Sequence, residues 1–183
     1  MEKRRNLIQM PYSSHEGKDL TVEWIDKVDH NTILDVGPGA GIYADLINNR
    51  GMWYTCLEAV EVWKPYIDTF GLEQKYTKVY NTDIRSFENF NYDIVIFGDI
   101  LEHMTKEEAI AIWDKCSSQA KYALISIPIV HYPQGHEFGN PYEEHVKDDW
   151  TAQEVFSTFN GIVRFELYEM VGIFFADFTR GKK

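Results

Sequence analysis

Residues 33 to 47 read ILDVGPGAGIYADLI: an apolar run, a loop with glycines at alternate positions, then the opening of a helical pattern. A glycine-rich turn between a strand and a helix lets a ligand approach the backbone closely. Several ligand classes use such turns, so the choice among them rests on the rest of the chain. The helix carries Ile42, Leu46 and Ile47 on one face and stops at NNRG, where Gly51 suits a left-handed cap.

On both sides of this stretch, strand and helix signals alternate. Leu20, Trp24, Ile25 and Val28 recur at helical spacing and predict a helix over 18 to 29. Strands are expected at 32 to 37, 52 to 58, 78 to 83, 92 to 99 and 122 to 129. Most are nearly continuous apolar runs, as suits strands covered on both faces of a parallel sheet. TKEE at 105 to 108 and TAQE at 151 to 154 are capping-box patterns that mark two further helix starts. In the tail, GIVRFELYE alternates Val163, Phe165 and Leu167, and VGIFFADFTR follows after one short turn. Strands joined so closely are antiparallel, because a parallel connection needs a longer crossover.

The chain of 183 residues suits one domain, and its composition is that of an ordinary globule. With 18 basic against 29 acidic side chains the net charge is -11, which argues against a duplex nucleic-acid surface. No apolar run is long enough for a membrane span, and MEKRRNLIQMPYSS lacks the apolar region of a signal peptide, so a cytoplasmic protein is expected. Cys56 and Cys116 fall in a strand and on an apolar helix face, and are read as reduced core residues.

In open α/β sheets, ligands bind outside the carboxyl ends of the strands. Here those ends carry Asp35, Glu58, Asp83 and Asp99, so four strands deliver a carboxylate to one edge. Such a lining repels phosphate and favours a ligand that is cationic or rich in hydroxyl and amino donors. A dinucleotide loop would place its third small residue at position 42, which is Ile, and no Gly-Lys-Ser/Thr of a nucleotide-triphosphate loop occurs.

LDVGPGAG does resemble the first motif, D-x-G-x-G-x-G, of the class I S-adenosylmethionine-dependent methyltransferases. The resemblance continues through Glu58, NTDI at 81 to 84 and YDIVIFGDILEHM at 92 to 104, and spans roughly residues 18 to 180. It implies an α/β fold with a Rossmann-like, doubly wound, seven-stranded, mostly parallel sheet and an antiparallel C-terminal hairpin. It also implies a single methyltransferase domain over 1 to 183, with an N-terminal segment and helix at 1 to 30. Gly37, Gly39 and Gly41 would lie against the methionine part of the cofactor, with Pro38 stiffening the turn. Asp35 would order the loop, Glu58 would accept both ribose hydroxyls, Asp83 and the Ile84 backbone would meet the adenine, and Asp99 would face the amino end.

Methyl transfer to a hydroxyl needs alignment, exclusion of water and a proton acceptor. The segment after the fourth strand, with Asp99, Glu102 and His103, resembles that of ubiquinone-pathway O-methyltransferases. It also resembles the Glu-x-x-Glu-His segment of metal-binding small-RNA 2′-O-methyltransferases. His103, His131 and Glu102 are the candidate catalytic groups, and a divalent metal is one way to lower the acceptor's pKa. The stretch from 130 to 150, with His131, His136, His145, Tyr132, Tyr142 and Trp150, is expected to form a substrate lid. His15 and Tyr12 could close over the cofactor. GDIL stands where amino-methylating enzymes carry NPPY, which disfavours N-methylation of a base or glutamine; the expected acceptor is an oxygen of a small molecule or glycan, with nitrogen and carbon as lesser alternatives. S-adenosylhomocysteine (SAH) would be the product. A non-catalytic cofactor-binding scaffold and a metal-dependent RNA-end 2′-O-methyltransferase stay open as alternatives, and the sequence does not fix an oligomeric state.

Overall fold

In the computed structural model, residues 16–181 are described, and Tyr12 and His15 lie outside them. Seven strands form one sheet: β1 (Thr32–Val36), β2 (Cys56–Val60), β3 (Lys78–Tyr80), β4 (Ile94–Gly98), β5 (Tyr122–Pro128), β6 (Ile162–Leu167) and β7 (Val171–Asp177). Their order is β3-β2-β1-β4-β5-β7-β6. The first five run parallel, while β7 is antiparallel to both β5 and β6. This is the expected doubly wound sheet with its C-terminal hairpin. The chain reverses its direction of travel across the sheet between β1 and β4, and a crevice opens at the carboxyl ends of those strands.

The apolar runs of the central strands are buried on both faces. On one side, α1 (Lys18–Asp26), α2 (Ile42–Asn49), α3 (Lys64–Thr69) and α4 (Leu72–Lys75) pack Val22, Ile25, Ile47, Ile67 and Leu72 against Ile33, Leu57 and Ile96. On the other, α5 (Lys106–Gln119) and α6 (Ala152–Thr158) set Trp113, Cys116 and Val155 against Val95, Phe97 and Ile125. Each large apolar side chain so buried contributes about 1.5–3 kcal/mol. Cys116 is a buried free thiol and Cys56 a half-buried one.

Both capping signals start helices, with different completeness. Thr105 and Glu108 form the full reciprocal box at the head of α5. At α6 only half of it forms: Thr151 Oγ1 accepts from Glu154 N–H, but the Glu154 carboxylate turns to Lys106 and Lys147 at 2.8 and 3.1 Å. Two cations outcompete a backbone amide for that carboxylate. Strand β2 also departs from expectation. It begins at Cys56 rather than 52 and ends at Val60, two residues beyond Glu58.

One charge lies inside the sheet layer itself. Asp35 in β1 is buried, accepts a 2.6 Å hydrogen bond from the Tyr76 hydroxyl, and leaves its second oxygen without a partner. Burial raises its pKa to about 7, against the pull of Tyr76 and Lys18. A carboxyl whose folded pKa is raised stabilises the fold most below its unfolded pKa near 4 and loses that contribution as pH rises towards the folded value. The fold should therefore lose stability between about pH 4 and pH 7 through this group. Asp35→Asn, which keeps the acceptor for Tyr76, should show a smaller drop in urea-unfolding free energy between pH 5 and pH 8 than the wild type. An unchanged drop would mean that Asp35 is already ionised at pH 5.

Candidate functional site

The glycine loop follows β1 directly. Gly37 N–H donates to Val60 O at 2.9 Å and Gly41 N–H to Pro38 O at 2.8 Å, which ties the loop to the end of β2 and closes it into a tight turn. Gly37 has φ 63°, and a Cβ built there would meet Ile100 Cδ1 at 2.2 Å. Gly39 has φ 54° and nothing within 4 Å of its Cβ position, because it faces open space. The two glycines therefore answer different demands: the first admits Ile100, and the second leaves room beside the loop. Gly41 caps α2 and faces the Lys75 side chain.

Beside the loop is a cavity of about 480 Å³, lined by residues from the ends of β1, β2, β4 and β5 and from the segment after β5. Of the residues expected to bind cofactor, Gly37, Gly39, Asp83, Ile84 and Asp99 line it. Asp35, Gly41 and Glu58 do not. Glu58 sits mid-strand and accepts hydrogen bonds from the hydroxyls of Tyr80, at 3.0 Å, and Tyr92. The acid that the end of β2 presents to the cavity is Glu61, buried and accepting from Trp63 N–H at 2.7 Å. Burial pushes its pKa up to about 7. The sequence could have signalled Glu61, since CLEAVEV holds two glutamates three apart; the apolar residues before Cys56 drew the expected strand start forward and moved the expected end with it.

Asp83 caps a short 3-10 turn at Ile84–Ser86 and is clamped by Arg85, with the Nη2–Oδ2 contact at 2.6 Å. The Arg85 hydrogen bond holds the Asp83 carboxyl below its usual range, so it stays ionised. Asp99 adopts φ 56°, unusual for a residue with a side chain. It is held there by Ser126, whose Oγ donates to Oδ1 at 2.8 Å, and by the buried Lys18, whose Nζ reaches Oδ2 at 2.8 Å. Burial alone would lower the Lys18 pKa, but Tyr43 and Asp99 outweigh it and raise the value, so the ammonium remains charged. Lys18 had no role in the sequence reading, and as a lone lysine at a helix start it carries no motif.

The third group of side chains stands on a 3-10 turn at Leu101–His103 after β4. Glu102 is fully buried and neither carboxylate oxygen has a hydrogen-bond partner. Burial, and then the nearby Asp99, push its pKa well above the usual carboxylate range. His103 and His145 join it: one ligand atom from each of the three lies within 4.8 Å of the others. The imidazoles meet edge to face with centroids 4.9 Å apart. His103 Nδ1 lies 3.1 Å from Glu144 O and His145 Nδ1 lies 2.6 Å from Tyr132 O. Only an N–H satisfies a carbonyl, so each neutral ring carries its proton on Nδ1 and keeps the Nε2 lone pair for a proton or a metal. Burial lowers both histidine pKa values, which keeps the rings neutral near pH 7.

The expected lid covers the cavity through Tyr132, Gln134, Asn140, Tyr142, Glu143 and His145. It is fastened by backbone bonds from Tyr132 N–H to Asp148 O, His145 N–H to Gln134 O and Lys147 N–H to Glu102 O, at 2.8 to 3.0 Å. The Tyr142 ring meets Trp63 at 6.2 Å, across the cavity mouth from the lid. His131 and His136 point elsewhere: both are exposed, beside Asp148 at 3.6 Å and Glu144 at 3.3 Å respectively. Of the candidate catalytic groups, the structure thus brings together Glu102 and His103, with His145 beside them and His131 apart. Trp150 is no lid residue but a buried core side chain, packed on Phe159 with ring centroids 5.4 Å apart.

No protein-family model matches the sequence, and no curated protein matches it. Solved structures do match the fold. The N-terminal domain of EvdMO1, crystallised with SAH bound, is 10% identical, with a TM-score of 0.63 over 90% of this chain and 82% of that one. A S-adenosylmethionine-dependent methyltransferase from Clostridium acetobutylicum is 11% identical, with a TM-score of 0.66 over 87% of this chain and 89% of that one. The small RNA methyltransferase HEN1 gives 0.71 at 15% identity, over 92% of this chain but only 26% of its own length. Likeness at such low identity is likeness of architecture. The chain has the fold of the class I S-adenosylmethionine-dependent methyltransferases.

Proposed function

We propose that the protein is a S-adenosylmethionine-dependent methyltransferase that transfers the methyl group to a hydroxyl of a small molecule or glycan. The observation that carries this reading is the juxtaposition, in one cavity, of the open glycine loop with an unpartnered buried carboxylate and two neutral imidazoles. The loop beside Gly39 has room for the methionine part of the cofactor. Glu61, rather than Glu58, is placed to accept from the ribose hydroxyls. Ile84 and Asp83 flank the adenine position, though Arg85 already occupies most of the Asp83 carboxylate. Asp99, steadied by Lys18 and Ser126, faces the amino end.

When bound, the cofactor supplies a methyl carbon on a sulfonium whose thioether leaves without an acid. The protein's task is then to align the acceptor oxygen and take its proton. His103 or His145 Nε2 is the proton acceptor, since both rings are held neutral with the far nitrogen fixed on a carbonyl. Glu102, His103 and His145 also fit a divalent cation: a hard carboxylate oxygen beside two imidazoles whose second nitrogens are already oriented. Such an ion would lower the acceptor hydroxyl's pKa. An acidic lining that includes Glu61, Asp99, Glu102 and Glu143 suits a neutral polyol better than a phosphodiester. That the EvdMO1 domain was crystallised in the presence of SAH and D-fucose favours the sugar side of this class.

Calorimetric titration with SAH tests the cofactor reading. The wild type should bind, Glu61→Gln should weaken binding by roughly 10- to 100-fold, the worth of hydrogen bonds to a charged group, and Glu58→Gln should change it little. Absence of wild-type binding would overturn the reading; weakening by Glu58→Gln alone would return the ribose role to Glu58. Titration with Mn²⁺ tests the cation site separately. Heat of binding in the wild type that disappears in Glu102→Gln is expected, and no heat in either protein would leave the imidazoles as general bases without a metal.

A further inference from the structure

Phe165 and Leu167 alternate along the regular part of β6, Val163 stands at the irregularity before it, and none of the three is covered. Val163 is 43% exposed, Phe165 51% and Leu167 42%, and Phe156 on α6, at 41%, meets Phe165 edge to face at 4.9 Å. Among the described residues β6 is also the last strand of the sheet, so its outer edge pairs with no other strand. Natural edge strands are protected by lysines, prolines, bulges or covering segments. Here the only irregularity is between Ile162 and Arg164, and from Arg164 to Leu167 the register with β7 is regular. An edge strand without lysine or proline, with large apolar side chains exposed on it, is open to pairing.

The sequence of the edge says what it pairs with. We propose that β6 joins β6 of a second copy of this chain, antiparallel and with Phe165 on the two-fold axis, so that one sheet runs through both subunits. In that register Arg164 lies opposite the partner's Glu166 and Glu166 opposite the partner's Arg164, while Val163 and Leu167 meet on the other face. The strand VRFEL is thus complementary to itself in both charge and apolarity. Moving the axis one residue to Arg164 or to Glu166 would set like charges opposite each other on the axis, and a half-residue shift is excluded because residues opposite each other in an antiparallel ladder lie on the same face. The side-chain pattern therefore selects one register. The same contact stacks the exposed Phe156 and Phe165 pairs of the two subunits into a continuous apolar strip. Because Met170 and Val171, at the hairpin turn, line the cavity, pairing also stiffens one wall of the site.

Sedimentation equilibrium of the full chain over a dilution series tests this. The wild type should show a concentration-dependent dimer. Arg164→Glu and Glu166→Arg should each weaken it roughly tenfold or more, since each places two like-charged pairs across the edge, and the double exchange should restore the wild-type constant. Arg164 also lies over the Trp24 ring at 5.4 Å, so a loss caused by misfolding would appear in Arg164→Glu alone and would not be rescued. A wild type that stays monomeric at every concentration, or a dimer indifferent to both single exchanges, would overturn the proposal.

Discussion

The ion pair between Lys18 and Asp99 is the contact on which the cavity floor depends. Asp35, Asp99 and Glu102 sit at or near the carboxyl ends of β1 and β4, within a region largely withdrawn from water. Carboxylates gathered this way repel one another and lose hydration, so at neutral pH they would stay protonated or push the chain apart. A single buried ammonium changes the balance. Lys18 neutralises Asp99 directly, lies 4.9 Å from the Tyr43 ring centroid, and draws the Asp35 pKa down against the effect of burial. Its place at the head of α1 makes that helix a structural part of the site.

From this charge balance follows a division between carboxylates that are satisfied and those that are not. Asp99 has Ser126 and Lys18, Asp83 has Arg85, and Glu58 has two tyrosine hydroxyls. Glu102 has none, and Glu61 meets only backbone N–H groups, of Trp63 and Gly39. An orphaned carboxylate in a fold that satisfies its neighbours so fully marks where a ligand's donors belong. Glu61 differs from Glu58 in another way: it lines the cavity and meets backbone N–H groups alone, while Glu58 stands away from the cavity with two tyrosine hydroxyls on it.

Much of this architecture was legible in the residues. The apolar runs of β1, β4 and β5, the helix-starting threonines, the glycine loop and the tight C-terminal connection each follow from local rules, and together they dictate a parallel sheet with a hairpin at one edge. What escaped was set by tertiary contacts. The end of β2 is fixed by where its backbone meets β1 and β3, which apolar patterning alone cannot register, and so the acid that follows β2 into the cavity is Glu61 rather than the expected strand-ending Glu58. The three histidines of the long loop look alike in sequence. Only the path of the chain, with its bonds to Glu102 O and Gln134 O, turns His145 inward and leaves His131 and His136 in water. Trp150 was misplaced for a similar reason: the loop dives back into the core just before α6, and an aromatic at that point belongs to the core.

The segment from 130 to 150 illustrates how an irregular stretch can still hold side chains in fixed orientations. Loop side chains are positioned poorly unless their own polar groups are committed. Here the commitments are reciprocal: the Glu144 carbonyl orients His103 while the Tyr132 carbonyl orients His145, and Lys147 N–H returns to the backbone of Glu102. Each imidazole is thus fixed by the loop's own backbone, and the loop is fixed by the turn that carries Glu102 and His103. Displacing the lid would free both Nδ1 atoms, release the tautomers and raise the pKa values as water reached the rings. Seating of the loop and orientation of the two rings are therefore coupled: whatever moves the loop also changes which nitrogen of each ring is left free.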